Sequence, residues 1–182
     1  MLDFTAEKRK AIDEMYEKKH AKFDGRLVFV GFGSVGQGTL PLILRHIDMS
    51  RERVSILTGD DRGRQEAEHY GIKFIINPLK RDNYRQILDP MLGRGDFLLN
   101  LSVDTSSADI MELCHLLGVL YLDTVAEPWK GYYTDPHLSA EQRSNYALRE
   151  TILALRRKYK DGATAISCMG ANPGLVSSFI KQ

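Results

Sequence analysis

The six residues Gly31-Phe32-Gly33-Ser34-Val35-Gly36 spell G-x-G-x-x-G, a spacing that lets backbone run close past a pyrophosphate. The setting gives it weight. It directly follows the apolar run LVFVG (27–31) and opens a helical segment over 34–46. Gly31 permits the tight turn, Gly33 lets the backbone approach the ligand, and Gly36 lets helix and strand pack closely. The pyrophosphate of a nicotinamide dinucleotide then rests on the free N–H groups at the positive end of that helix. All six positions are assigned to the cofactor. Asp60, at the end of the second strand, is placed to accept hydrogen bonds from the adenosine ribose, which favours NAD over NADP. The same tip, Gly59-Asp60-Asp61-Arg62-Gly63-Arg64, also holds two arginines able to receive a 2′-phosphate.

In a parallel sheet every carboxyl end lies along one edge, and ligands bind there. The segments that follow the later strands are Asn77-Pro78, Ser102-Val103-Asp104-Thr105, Asp123-Thr124 and Gly170-Ala171-Asn172. They converge beside the nicotinamide end of the cofactor, and Ser102, Thr105 and Thr124 are assigned to it. Asp104 has two readings. Ser106-x-x-Asp109 fits a capping box, and Asp104 or Thr105 could cap as well; alternatively Asp104 contacts substrate or cofactor. Glu127-Pro128-Trp129 follows the fifth strand. Either it is a surface acid with a Trp that seals the loop, or a carboxylate and an aromatic face suited to a cationic amine. Asn172 precedes a proline and either caps a helix or hydrogen-bonds a ligand. The five histidines show no metal-ligand spacing, and no metal is expected. Cys114 falls on an apolar helix face, and Cys168 has no basic partner in sequence.

The elements that must position these groups are legible as alternation. Apolar runs at 27–31, 53–58, 72–76, 96–101, 119–122 and 164–168 read as strands. Segments 34–46, 61–70, 82–89, 106–117 and 139–159 read as helices between them. Continuous apolar strands separated by helices predict an α/β fold: a Rossmann-type doubly wound parallel sheet with helices on both faces. A charged helix over 5–22 precedes it, so the chain divides into an N-terminal helical extension (1–24) and a Rossmann NAD-binding domain (25–182). Asn172-Pro173-Gly174 opens a further helix that runs to the last residues, and the expectation is a larger protein with a second, substrate-binding or dimerisation domain.

Composition excludes several classes. The 182 residues carry 25 Lys plus Arg against 24 Asp plus Glu, a net charge of +1, so no excess draws nucleic acid or a membrane surface. No apolar run approaches spanning length. Two cysteines without Cys-x-x-Cys spacing fit neither a zinc site nor a disulfide framework, and suit a reducing, cytoplasmic setting.

Five segments together resemble bacterial homospermidine synthases, within the saccharopine dehydrogenase-like superfamily. They are VGFGSVGQGTLPLI (30–43), NLSVDTSSADIMEL (100–113), LYLDTVAEPWKGYY (120–133), RSNYALRE (143–150) and SCMGANPGLVSSF (167–179). The first is common to many dehydrogenases; the other four are more specific. The resemblance implies a two-domain homodimer that uses NAD without net redox change. Putrescine is oxidised at a C–N bond, ammonia leaves, a second putrescine (or spermidine as donor) forms an imine, and the hydride returns to give homospermidine. By the same resemblance Asp104, Glu127 and Asn172 fall on catalytic-pocket positions that contact the amine. The family's second domain supplies further acids and an aromatic that this chain does not contain. Two other readings stand beside it. A saccharopine dehydrogenase-like oxidoreductase would need arginines for a carboxylate substrate, and 100–107 and 123–129 hold none. A non-catalytic NAD-sensing domain gives no reason for Asp104, Glu127 and Trp129 at strand ends.

Overall fold

A computed structural model describes Met15, Tyr16 and residues 18–181. Its centre is a six-stranded, wholly parallel sheet. The strands are β2 (Leu27–Val30), β4 (Val54–Thr58), β5 (Lys73–Ile76), β6 (Phe97–Asn100), β7 (Leu120–Asp123) and β8 (Ala165–Ile166). Their spatial order is β5-β4-β2-β6-β7-β8. The chain therefore starts in the middle, winds outward to β5, then returns to the other side of β2. Between β2 and β6 the order reverses, and at such a switch point the loops above the carboxyl ends part to leave a crevice.

Successive residues of β2 explain why the sheet needs cover on both sides. Val28 and Val30 pack with Leu98, Tyr121 and the helices α3 (Tyr84–Leu88) and α4 (Ser107–Leu117). Leu27 and Phe29 pack on the opposite face with Leu40 of α1 (Ser34–His46) and Ala67 of α2 (Arg64–His69). Ile152 and Leu155 of α5 (Asn145–Lys158) add to the first face. All four β2 side chains are buried, as the apolar run requires for a strand covered on both sides. No helix among the described residues is long and apolar enough to cross a membrane.

Helix ends follow local chemistry. Ser106 caps α4 by accepting the Asp109 N–H at 3.2 Å, and Gly118 closes it in the left-handed region at φ 72°. Ser144 caps α5 in the same way through Ala147 N–H at 3.3 Å, so that helix begins at Asn145 and not at 139. The expected strand 164–168 is shortened to Ala165–Ile166 because Ser167 and Cys168 turn inward to Asp123. Most of the expected N-terminal helix lies outside the described residues. Its last turn does not form: Ala21–Lys22 (β1) pairs in parallel with Ile47–Asp48 (β3), and His20 N–H donates to His46 carbonyl at 2.7 Å. Long-range pairing with the end of α1 takes precedence there over local helical pattern.

Leu40 is fully buried and ties α1 to the sheet, which fixes where the helix N-terminus points. Leu40→Ala is expected to cost about 2–5 kcal/mol of stability, measured by urea unfolding monitored by circular dichroism.

Candidate functional site

The glycine turn is built by contact between two strand ends. Gly31 has φ +85°, and a Cβ there would stand 2.7 Å from both Cα and N of Ser102. Only glycine satisfies both demands. Gly33 faces the other way: it is the N-cap of α1, offers no side-chain cap, and a Cβ on it would meet nothing within 4 Å. The first-turn amides of α1 therefore open onto free space. Gly36 lies under the Phe32 ring, 2.9 Å from a built Cβ. Ser34 and Val35 are exposed at the helix start. Phe32 sends its side chain into the core. Its side chain is 2% exposed and packs edge-on against Phe29 and Phe74, so it has only backbone to offer a ligand.

A cleft of about 760 Å³ runs along the carboxyl edge beside this turn. Gly31, Asp60, Ser102, Asp104, Thr105 and Trp129 line it, with Arg62, Lys80, Arg81 and Lys130 as its cations. Asp60 stands at the rim but is not free. Arg62 donates to it through Nε (2.9 Å), Nη2 (2.7 Å) and its backbone N–H (3.0 Å). These hydrogen bonds hold the Asp60 carboxyl below its ordinary range and keep it ionised. The pair is solvent-exposed, so it is weakly held and can open.

Asp104 and Glu127 meet at the same edge from different loops. Asp104 is exposed and left-handed at φ 59°, a conformation that aspartate tolerates better than most residues. Its carbonyl accepts Lys130 N–H at 3.2 Å. Ser106, not Asp104, caps α4, which leaves the Asp104 carboxylate unused by the helix. The buried Ser107 clamps Glu127: Ser107 N–H donates to Glu127 carbonyl at 2.8 Å, and Glu127 N–H donates to Ser107 Oγ at 3.0 Å. Burial pushes the Glu127 carboxyl above its ordinary range; a hydrogen bond from Asp104 N–H pulls it back, and the Asp104 negative charge pushes it up again. Trp129 donates its indole N–H to Asp109 and packs 5.3 Å from Tyr84. It thus seals the loop and still lines the cleft.

The loop after β8 contributes no residue to the lining of that cleft. Asn172 is exposed on this loop, at a turn in which Gly170 N–H donates to Pro173 carbonyl at 2.9 Å. Thr124 abuts that turn, its carbonyl 3.4 Å from a Cβ built on Gly170, so it braces the loop and does not line the cleft beside Ser102 and Thr105. Among the described residues no group of three or more His, Cys, Asp or Glu is arranged to hold a metal. The sequence reading gave no role to Asn100, Ser107 or Tyr121 and named Asp123 only within a strand-end segment; all four are buried. The available signal was a polar residue ending each of two apolar strands, FLLN and LYLD.

A parallel sheet with this strand order, a glycine turn at its switch point and an uncapped helix N-terminus define a Rossmann-type nucleotide-binding domain. Residues 27–166 match the saccharopine dehydrogenase NADP binding domain, and the chain belongs to that family. Homospermidine synthase from Blastochloris viridis is 55% identical over 164 residues, covering 88% of this chain and 34% of that protein. Homospermidine synthase from Mesorhizobium japonicum is 45% identical over 166 residues, covering 90% and 34%. The crystal structure of homospermidine synthase from Legionella pneumophila in complex with NAD superposes with a TM-score of 0.78 at 38% identity, covering 88% of this chain and 32% of that one. The chain spans about a third of the length of these relatives.

Because the folded state holds the Glu127 proton more tightly than the unfolded chain, this residue's contribution to stability falls as pH rises from the unfolded carboxyl's range through the raised folded value. Asp104→Asn removes the neighbouring charge and is expected to move the Glu127 titration back toward lower pH. The ¹³C shift of its carboxyl carbon reads this directly.

Proposed function

We propose that this chain is the NAD-binding part of a homospermidine synthase. The whole enzyme would transfer an aminobutyl group from one putrescine (or spermidine) to a second putrescine, working as a cytoplasmic homodimer. The observation that carries the reading is that Asp104, which lines the nucleotide cleft, stands beside Glu127, which lines an adjoining cavity of about 620 Å³ with Trp129 and Lys130. Two carboxylates beside a hydride-transfer site suit an alkylammonium substrate. The likeness to homospermidine synthases over most of the chain supports it.

The residues present fit a dinucleotide. Gly33 leaves open the volume that a side chain would fill, and α1 presents unpaired amides to it. Ser102 and Thr105 line the cleft beside the turn, and Asp60 offers a carboxylate at its rim. When bound, NAD supplies an acceptor for the substrate hydride and returns it to the imine. Asp104 would hold the ammonium end of the diamine, and the Trp129 face adds cation–π attraction. Glu127, with its carboxyl titrating above the ordinary range, is suited to take or give a proton at the reacting nitrogen. Asn172, on the loop after β8, would orient the amine.

A second reading has one observation in its favour. Arg81 lines the cleft, from a segment that lies outside the strand-end loops of β6 and β7, and an arginine is what a carboxylate substrate would need. With the Arg62 guanidinium at the rim, that reading is an NADP-dependent amino-acid oxidoreductase of the saccharopine dehydrogenase type.

A thermal-shift titration with NAD or NADP, each with putrescine or with a dicarboxylic amino acid, separates them. NAD at a hundred times its Kd is expected to raise Tm by roughly 5–10 °C, with a further rise on adding putrescine. Gly33→Val is expected to abolish the NAD shift while costing the unliganded chain only about 1 kcal/mol. A shift with NADP alone, increased by the amino acid, would favour the second reading. No shift with either nucleotide would sink both.

A further inference from the structure

Below the cleft a chain of hydrogen bonds crosses the ends of three neighbouring strands. Ser102 donates to Asn100 Oδ1 through its N–H at 3.2 Å and its Oγ at 2.6 Å. Asn100 Nδ2 donates to Tyr121 Oη at 3.1 Å, and Tyr121 Oη donates to Asp123 Oδ2 at 2.8 Å. From the other side Ser167 Oγ (2.8 Å) and Cys168 N–H (2.6 Å) donate to Asp123 Oδ1. Asn100 and Asp123 stand opposite each other in the register of β6 and β7, and both are buried, as is Tyr121.

The direction of these bonds is informative. An amide NH₂ cannot accept, so Tyr121 Oη must receive from Asn100 and pass its own hydrogen to Asp123. Every donor in the chain ends on one carboxylate. That carboxylate also fixes a turn: Cys168 lies at φ 60°, and its N–H is held by Asp123 Oδ1 while Met169 N–H donates to the Asp123 carbonyl at 2.9 Å. The turn leads straight into Gly170–Gly174, which carries Asn172. At the opposite end Ser102 presses on Gly31 and precedes Asp104 by two residues.

We propose that Asp123 is a positioning residue for the amine side of the site: it holds the Cys168–Gly174 loop, and with it Asn172, in fixed relation to the Ser102–Asp104 turn. The proposal rests on the amine reading above. Asp123→Asn keeps the shape but replaces one acceptor oxygen by a donor. Tyr121 or Ser167 then loses its acceptor, and the loop loses its anchor. Gly31, Gly33, Gly36 and Asp60 make no bond to Asp123, and Ser102 is reached from it only through Tyr121 and Asn100, so dinucleotide affinity is expected to change much less than putrescine affinity.

The test uses the whole chain. Trp129, its only tryptophan and part of the cleft wall, reports titrations with NAD and then with putrescine in the presence of NAD. In Asp123→Asn the NAD Kd should stay within about threefold, while putrescine weakens about tenfold or more. Amide exchange of residues 168–175 should quicken about tenfold, with β2 unchanged. Ser167→Ala, which removes one donor and leaves the charge, should show the same split at smaller amplitude and serves if the first variant does not fold. Equal loss of NAD and putrescine with faster exchange throughout would mean general destabilisation and overturn the proposal. So would unchanged putrescine affinity or an unaltered loop. A wild-type chain that binds NAD without any putrescine response overturns the amine reading itself, and the proposal with it.

Discussion

The approach of Gly31 to the backbone of Ser102 governs the rest of the carboxyl edge. β2 and β6 are neighbours in register, Val30 opposite Asn100, yet their chains leave the sheet in different directions. One turns back at Gly31 to start α1, the other runs on through Ser102 to Asp104. With no room for a Cβ between them, the two turns sit as close as backbones allow. The glycine turn, the α1 amides and the acid-bearing loop therefore share one crevice. A methyl group at position 31 would part the strand ends and separate the groups that the fold brings together.

Below that crevice the sheet solves a different problem. A carboxylate as buried as Asp123 is costly unless its acceptor sites are filled. Here Tyr121, Ser167 and Cys168 fill them. Burial still pushes the Asp123 carboxyl above its ordinary range; the bonds from Cys168, Tyr121 and Ser167 pull it back. A hydrophobic residue at 123 would pack the strand end as well, but nothing would then hold the left-handed turn at Cys168. The polar residue makes sense as a fastening for a loop, and that loop carries Asn172.

Much of this was legible in the sequence, for a reason that also explains what was not. Strands and helices come from patterns within a window of a few residues, and five of six strands and α1 to α4 fall where periodicity predicts, within a few residues at their ends. The glycine turn is local too, and so is the capping box at Ser106. What local pattern does not carry shares another cause. Phe32 sends its side chain into the core, edge-on to Phe29 and Phe74. Asp60 is met by Arg62 two residues on. Residues 167–168 look like strand, and depart from it for a carboxylate on β7. Lys22 looks helical, and instead pairs with Asp48. Each depends on a partner's position in space. Asn100 and Asp123 were visible only as polar ends of apolar strands; that they are joined through Tyr121 required the register.

Charge along the sheet edge follows the same division at the switch point. Loops after β4 and β5 bring Arg62, Lys80 and Arg81 to the cleft, while the loop after β6 brings Asp104 to its other side, beside Glu127 of the loop after β7. Asp60 after β4 and Lys130 after β7 are exceptions: Asp60 is paired with Arg62, and Lys130 N–H donates to the Asp104 carbonyl. The chain as a whole is nearly neutral, so this sorting cannot come from composition; it comes from which loops flank β2. A dinucleotide with its pyrophosphate on the α1 amides and its adenosine toward Asp60 would leave the β6–β7 side, with Asp104 and Glu127, to the nicotinamide end. The topology that creates the crevice thus also gathers most of its cations on the β4–β5 side and sets Asp104 beside Glu127 on the β6–β7 side.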